Sequence, residues 1–560
     1  MRLIVLSLSL FLVTITRAES ADTVFVGDHI VTMREKLTDH EPTALAIKAD
    51  RVVWMGEREK MGNWVGPETR IVELKNKALL PGFIDAHGHL LMTASTLDLA
   101  NVSSPPVGEV TDFNTLGEVL RRHIDTKPIP AGEWVIGFGY DDSLLGEKRH
   151  PTRETLDAVS KEHPVVLLHV SRHLMATNSA ALARAGYTAQ TPDPEGGHIR
   201  RRPNSGEPNG ILEETATMPL RQAAQPKWSA DLISRALARY ASFGITTVQD
   251  GASDPTGIRL LTAMAAQGAL TLDVVAYALT QFAEPGTPLP PTSGEYTNGF
   301  RVGGIKLLLD GSPQGKTAWL SQPYHVPPEG KAADYRGYPT MDRENTNRHF
   351  DQALDKGIQV IAHANGDATA DSILDAVEKS FVGKTAMPDH RTVMIHAQTV
   401  RDDQLDRMRE LGVMPSYFSA HAFYWGDWHR DSVLGNRAQR ISPARSTLDR
   451  SIPFTLHNDA PIVPPDMIRL LWATTHRHTR SGQTLGADQR ISIRDALAAV
   501  TRTAAWQYFE EAQKGTLEVG KRADLVVLSE NPLELQPADL LRLSVIETWS
   551  RGARVFADTE

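Results

Sequence analysis

The stretch Pro81-Gly82-Phe83-Ile84-Asp85-Ala86-His87-Gly88-His89 decides the fold. The apolar run Leu79 to Ala86 reads as a β-strand, and its end delivers two histidines at positions i and i+2. On an extended backbone both imidazoles point to one side and reach one metal ion. Seven further short apolar runs follow: Gly244 to Gln249, Leu272 to Leu279, Gly304 to Leu309, Gln359 to His363, Thr392 to His396, Val413 to Phe418 and Phe454 to His457. Amphipathic segments lie between them, with helices expected at Asn347 to Lys356, Asp371 to Ser380 and Asp402 to Leu411. Short apolar runs alternating with helical segments predict parallel strands joined by crossover helices. Eight of them predict a (β/α)8 TIM-like barrel, whose sites lie at the carboxyl ends of the strands. The first two runs are too far apart for a simple βα connection, so an inserted subdomain over about 95–235 is expected to lie over the mouth.

The other strand ends carry chemistry as well. The fifth run ends in His363-Ala364-Asn365, the sixth in His396-Ala397-Gln398, and the eighth in His457-Asn458-Asp459. Any one of these alone is matched by a structural histidine or a helix-capping aspartate. Four strand ends delivering a His pair, His, His and Asp in order are not. The fourth run sinks Lys306 between Ile305 and Leu307, where a cation is costly to bury. That lysine either snorkels or pairs with a carboxylate, or it is carbamylated into an anionic oxygen ligand able to bridge two metals. Gly311-Ser312-Pro313-Gln314-Gly315-Lys316-Thr317 imitates a phosphate loop, but the P-loop needs four residues between its glycines and here there are too few. His457 shares a face with Asp459 on an extended strand and is read as a neighbour of the site, not as a ligand.

Composition narrows the chemistry. The chain of 560 residues has 41% hydrophobic and 23% charged residues, ordinary globular values. Its net charge of −9 gives no basic footprint, which argues against nucleic acid. Cysteine is absent, so disulfides, thiolate metal sites and Cys nucleophiles are excluded, and a metal must be held by His, carboxylate or modified Lys. Histidine is plentiful, at 20 residues. Arg2 followed by the apolar run Leu3 to Ile15 and by Thr16-Arg17-Ala18 reads as a signal peptide over residues 1–18. The run is short of the roughly 20 residues of a permanent membrane anchor. Secretion into a bacterial periplasm, with no stable anchor after cleavage, is therefore the expected localisation.

Small hairpin-like runs stand at both ends: Thr23 to Val26, Ala44 to Lys48 and Arg51 to Trp54, then Leu517 to Val519, Asp524 to Leu528, Val545 to Trp549 and Arg554 to Phe556. Neither set suffices for a stable sheet, so the ends, residues 19–78 and 515–560, are expected to pair into one small β domain around a barrel of residues 79–514.

On these residues the chain resembles the metal-dependent amidohydrolase superfamily, a metal-bearing (β/α)8 barrel with a small β-sandwich built from both chain ends. Finer features are similar to amidohydrolase family 3 and, within it, to the N-substituted formamide deformylase group. They are PGFIDAHGH at 81–89, DGSPQGKTAWL at 310–320, SYFSAHAFYWGDWHRD at 416–431, and HLMATNSAAL and EPNGILEE within the insertion. The resemblance implies that His87, His89 and Asp459 hold one buried metal, that His363 and His396 hold a second, and that Lys306, as N6-carboxylysine, bridges them. It implies one or two divalent metals and Asp459 as the catalytic proton carrier; Zn2+ is the expected ion because His-rich open sites completed by oxygen suit it. His173 and Asn178 match the family's mouth-lining segment, and His421 is the first candidate for a substrate or supporting contact in the loop after the seventh strand, beside Trp425, Asp427 and His429.

The expected reaction is hydrolysis of a non-peptide C–N bond, in an amide, formamide or N-acyl compound, by water activated at the metal. Asp459 would take the water proton and pass it to the leaving nitrogen. This needs no Ser or Cys nucleophile. The ligand set alone leaves open an esterase, a lactonase or a deaminase on the same barrel, and a fold alone would also allow a non-catalytic binding protein. The expected partner is a small-molecule substrate, with a homo-oligomer permitted.

Overall fold

The computed structural model describes residues 20–35, 40–127, 129–194, 197–203, 205–224, 228–282, 287–328, 330–384 and 387–558. The expected signal peptide, residues 1–18, lies outside them. Eight strands form one curled, all-parallel sheet: β1 (Phe83–Ile84), β2 (Ile245–Ser253), β3 (Asp273–Leu279), β4 (Phe300–Leu308), β5 (Gln359–Ala364), β6 (Val393–His396), β7 (Met414–Tyr417) and β8 (Thr455–Leu456). Each neighbours the next in chain order. This α/β architecture fits a TIM-like barrel.

The curl brings its two outer strands together through one side chain. Gln507 donates to the Ala86 carbonyl at 2.7 Å while its Oε1 accepts from Thr455 Oγ1 at 2.7 Å. Farther up, the His89 N–H donates to the Ala460 carbonyl at 2.8 Å.

Period-two alternation sorts the strand residues. In β5, Val360, Ala362 and Ala364 pack on the helix side, whereas Ile361 joins an inner cluster with Ile84, Ala86, Val275, Tyr277, Val393, Ile395 and Met414. Ala504, Ala505 and Tyr508 close that cluster from below. Burying each large aliphatic side chain there contributes roughly 1.5–3 kcal/mol, so the floor beneath the site is rigid. The same alternation turns Lys306 inward, because its β4 neighbours Ile305 and Leu307 pack outward.

The expected first strand requires correction, since Leu79 to Ala86 is two strands in two sheets. Ala78–Pro81 pairs antiparallel with Leu525–Leu528, and only Phe83–Ile84 joins the barrel. The crossing falls at Gly82, where a Cβ would come within 2.4 Å of Thr246 Cγ2. The expected helices Asn347 to Lys356 and Asp371 to Ser380 begin earlier, at Arg343 and Asp367. For the first of these the start is set by a cap, Asp342 accepting from the Asn345 N–H, which lies ahead of the apolar rhythm. Asp402–Leu411 is a helix as expected, stopped by Gly412 at φ +65°.

The ends of the chain form two four-stranded sheets. One contains Thr23–Val26, Ala44–Lys48, Arg51–Gly56 and Arg70–Glu73; the other contains Ala78–Pro81, Leu525–Leu528, Val545–Ser550 and Ala553–Ala557. Phe25, Leu45, Ile47, Leu79, Leu525, Val527 and Trp549 share one apolar cluster across them. Leu517 to Val519 is not a strand: Leu517 donates one backbone hydrogen bond to Thr32 O, and Gly520 at φ +91° turns the chain away. Between β1 and β2 a six-stranded sheet runs from Ala100 to Glu214, with apolar clusters of its own. Trp425 Nε1, from the loop after β7, donates to Asp141 Oδ2 of this insertion at 2.8 Å.

Candidate active site

His87 and His89 leave the end of β1 on a bend, not on an extended strand, with His89 standing directly before the helix Leu90–Thr96. They nevertheless converge. His87 Nε2 lies 3.5 Å and His89 Nε2 3.1 Å from Asp459 Oδ1. Across the barrel, His396 Nε2 is 4.0 Å from Asp459 Oδ2, and Lys306 Nζ is 3.3 Å from His87 Nε2. The rings of His363 and His396 have centroids 4.6 Å apart, and those of His87 and His396 5.6 Å. All six side chains expected as ligands therefore meet at the carboxyl ends of the strands.

Two of them arrive through backbone that breaks the alternation. Ile395 already faces the inner cluster, so regular extension would send His396 outward. His396 instead has φ +72° and Ala397 φ +45°, which re-aims the imidazole inward. Asp459 sits at φ +54°. Left-handed backbone at non-glycine residues costs on the order of 1–3 kcal/mol and clusters at functional sites.

Buried partners orient the imidazoles. His87 Nδ1 lies 2.6 Å from Gln249 Oε1, while Gln249 Nε2 donates to Ala86 O at 2.9 Å and to Tyr508 Oη at 2.8 Å. With its amide thus fixed, Gln249 offers His87 only an acceptor, so Nδ1 carries the proton and Nε2 presents a lone pair to the site. Asp310 does the same for His363, accepting from Nδ1 at 2.9 Å, and is itself held by the N–H groups of Asn365 at 3.1 Å and Gly366 at 2.8 Å and by Thr369 Oγ1 at 2.9 Å. His457 stands behind His396, its Nε2 3.0 Å from His396 Nδ1 and its Nδ1 2.9 Å from Ser416 Oγ.

Burial sets the charges. It holds His87 and His396 well below the ordinary imidazole value, reinforced at His87 by Lys306 and at His396 by His363 and His457. It lowers His363 as well, outweighing Asp310. Burial pulls the Lys306 amine down to about 7, with Asp459 opposing. Burial raises the Asp459 carboxyl, but the neighbouring His89, whose Nε2 lies 3.1 Å from Oδ1, together with His457 and Lys306 outweighs it and holds Asp459 below the usual carboxylate value. Neutral imidazoles thus face an anion, and Asp459 Oδ1 is buried without a hydrogen-bond donor among the described residues. The nitrogens of His87 and His89 crowd one oxygen of an anionic carboxylate, at 3.5 Å and 3.1 Å, and a cation among them would satisfy all three, so the residues fit a divalent metal. The ligand atoms of His87, His89 and Asp459 all lie within 4.8 Å of one another.

A cavity of about 40 Å3 opens onto this centre, lined by His363, His396 and Asp459 from the barrel and by Ser171 and His173 from the insertion. His421 and Phe418 line it too, their rings 4.5 Å apart. His421 Nδ1 is 3.0 Å from His429 Nε2, and His173 Nδ1 is 3.0 Å from both carboxylate oxygens of Glu214. The expectation for Asn178 requires correction. Its Oδ1 accepts from the N–H groups of Val165 and Ala181, and its Nδ2 donates to Ser160 O and His163 O, so it caps a helix inside the insertion. Gln249 and Asp310 were missed in the sequence. Their signal is a polar side chain at the end of a strand-forming run, the β-branched Ile245 to Val248 and the apolar Leu307 to Leu309.

Known proteins are similar to this chain over most of their length. N-substituted formamide deformylase of Arthrobacter pascens is 27% identical over 537 residues, covering 92% of this chain and 95% of that protein. Protein LONG AFTER FAR-RED 3 of Arabidopsis thaliana is 28% identical over 531 residues, covering 92% and 88%. An uncharacterized metal-dependent hydrolase from Pyrococcus horikoshii OT3 has the same fold, with a TM-score of 0.70 at 24% identity over 92% of this chain and 99% of that one. The sequence profile of the amidohydrolase family matches residues 70–556, from the strands before the barrel to the last strand of the chain, and the protein is a hydrolase belonging to that family.

Proposed function

We propose that the protein is a metal-dependent hydrolase that cleaves a non-peptide C–N bond, in an amide, formamide or N-acyl compound, of a small molecule. The observation that carries this reading is the convergence of His87, His89 and Asp459 on one point, with Lys306, His363 and His396 beside it at the strand ends. The likeness to N-substituted formamide deformylase supports the choice of bond. Zinc is the ion proposed, because imidazole nitrogens completed by oxygen suit it. When bound, it supplies a Lewis acid and water acidified to a pKa of about 7.

The chain's own residues do the rest. Asp459, anionic and without a donor on Oδ1, accepts the proton of the attacking water and returns it to the leaving nitrogen, so no proton is consumed overall. Gln249 and Asp310 hold His87 and His363 in the tautomer that presents Nε2. Lys306, buried and with its amine lowered to about 7, has a neutral nitrogen available near neutral pH. We propose that this nitrogen adds to CO2, forming the N–C bond of a carbamate and releasing one proton to solvent, and that the carbamate would offer an oxygen ligand for a second metal. The insertion, through Ser171 and His173, narrows the cavity and keeps bulk water from the reacting atoms.

Around this site we propose a β-sandwich domain made from residues 19–78 and 515–560, secretion to the periplasm after removal of residues 1–18, and no partner beyond the small-molecule substrate and further copies of the chain. The test is a turnover screen of N-formyl and N-acyl amines against matched esters, with zinc supplied. Amine release confirms the reading. Ester cleavage without amine release across the panel sinks it.

A further inference from the structure

Ser171 lines the cavity yet belongs to none of the ligand sets above. Its Oγ lies 2.8 Å from His169 Nδ1, and His169 Nε2 lies 2.9 Å from Asp142 Oδ1. All three come from the insertion: Asp142 follows the strand Val135–Tyr140, His169 ends the strand Val165–His169, and Ser171 follows it.

The direction of every hydrogen bond in this chain is fixed by one backbone group. The Ser171 N–H donates to His169 Nδ1 at 3.1 Å. A backbone amide cannot reverse its role, so Nδ1 is a lone pair and Nε2 carries the proton. Nε2–H then donates to Asp142, which is held well below the ordinary carboxylate value: burial pushes it up, but the His169 bond and the neighbouring His150 and His169 outweigh it. Asp142 therefore only accepts. The carboxylates of Asp141 and Asp142 and the His169 ring could otherwise pass for a second metal site, since their ligand atoms lie within 4.8 Å of one another. The proton on Nε2 points at the shared centre and argues against a cation there.

The consequence reaches the catalytic cavity. The single Nδ1 lone pair is shared by the Ser171 N–H at 3.1 Å and by Oγ at 2.8 Å, and because two acceptor atoms that close repel unless a proton lies between them, the Ser171 hydroxyl spends its only proton on His169. Its oxygen also accepts the His173 N–H at 3.3 Å, which leaves one lone pair and no donor. We propose that Ser171 Oγ is a specificity-determining acceptor that binds the N–H of the scissile amide, with His169 and Asp142 as positioning residues that keep its own proton turned away. An amide carrying N–H satisfies that lone pair. An ester or an N,N-disubstituted amide presents no donor and leaves it unpaired. The proposal rests on the proposed function only in taking this cavity as the substrate site.

Calorimetric titration of the zinc-loaded protein with N-butylformamide, N-butyl-N-methylformamide and butyl formate reads binding heat and hydrolysis heat separately. Wild type is expected to bind the N–H amide roughly tenfold more tightly than the other two, the worth of one neutral hydrogen bond. Ser171→Ala should bring the three affinities within about twofold of one another while metal content stays unchanged. In His169→Phe the freed hydroxyl proton can turn to the cavity, so the preference should shift toward butyl formate, an effect that looser packing alone would not produce. Equal affinities in wild type, or an N–H preference that survives Ser171→Ala, would overturn the proposal. Should His169→Phe fail to fold, the Ser171→Ala comparison decides. Lack of hydrolysis heat with the binding preference intact would instead count against the proposed function alone.

Discussion

Gln249 gives a sharp test of how the site is organised. Replacing it by Leu removes three buried hydrogen bonds, but their cost is unequal. Ala86 O keeps the Gln507 amide as donor at 2.7 Å, and Tyr508 Oη still donates to Asp85 O at 2.7 Å. Among the described residues, the polar group this leaves orphaned is the His87 Nδ1–H, in a side chain with no exposure. An unsatisfied buried donor costs about 1–3 kcal/mol, so Gln249→Leu is expected to lower stability by about that amount and not by three times as much. Losing the group that sets the tautomer should weaken metal binding by roughly 10–100-fold. Chelator competition measures the second quantity and urea unfolding the first. Gln249→Glu, which keeps an acceptor for Nδ1, should retain much more of the metal affinity than Leu does. Metal affinity in Gln249→Leu equal to wild type would refute the assigned tautomer.

Three further outcomes are expected. In Gly251→Ala the new Cβ would stand 2.6 Å from His87 Cε1 and 2.6 Å from Gln249 Oε1, so metal affinity should fall by more than about tenfold while the far-ultraviolet circular dichroism stays that of the wild type. Asp459→Asn should retain most of its metal yet lose turnover by a factor of at least about 100, as for loss of a general base; full activity would remove Asp459 from its proton-carrying role. Asp273 accepts from Lys514 and Arg522 at 2.6 Å each, and these charges, with Arg551, hold it below the usual value against the pull of burial. A carboxyl lowered on folding adds stability above its unfolded pKa of about 3.9 that is lost as pH falls toward the folded value. Asp273→Asn should therefore cost about 3–5 kcal/mol at pH 7 and progressively less below pH 4, read from melting curves of the two proteins over that range.

The barrel was legible because its strands are short apolar runs spaced by amphipathic helices, and each of the eight expected runs overlaps an observed strand. The ligands were legible because strand ends are where a barrel displays chemistry. What the sequence does not reveal depends on contacts distant in the chain. The break at Gly82 exists because Ala78–Pro81 pairs with Leu525–Leu528, which no local pattern announces. The motif around Asn178 points to the mouth, whereas the hydrogen bonds to Val165 and His163 lock it inside the insertion. The inward turn of His396 rests on a left-handed φ that a β-branched-rich strand gives no hint of. Ser171 was silent for the same reason: its acceptor character is fixed by His169 and Asp142, the latter 29 residues before it in the chain and joined to it only through the imidazole.

The most direct test of the central claim is C–N bond cleavage by one protein sample in three states: as purified, after chelation, and after zinc is restored. Amine release from an N-formyl or N-acyl amine should vanish on chelation and return with zinc, in wild type and not in a His87→Ala, His89→Ala double variant. Amine release that persists through chelation, or that the double variant retains, would contradict a metal centre built on His87, His89 and Asp459.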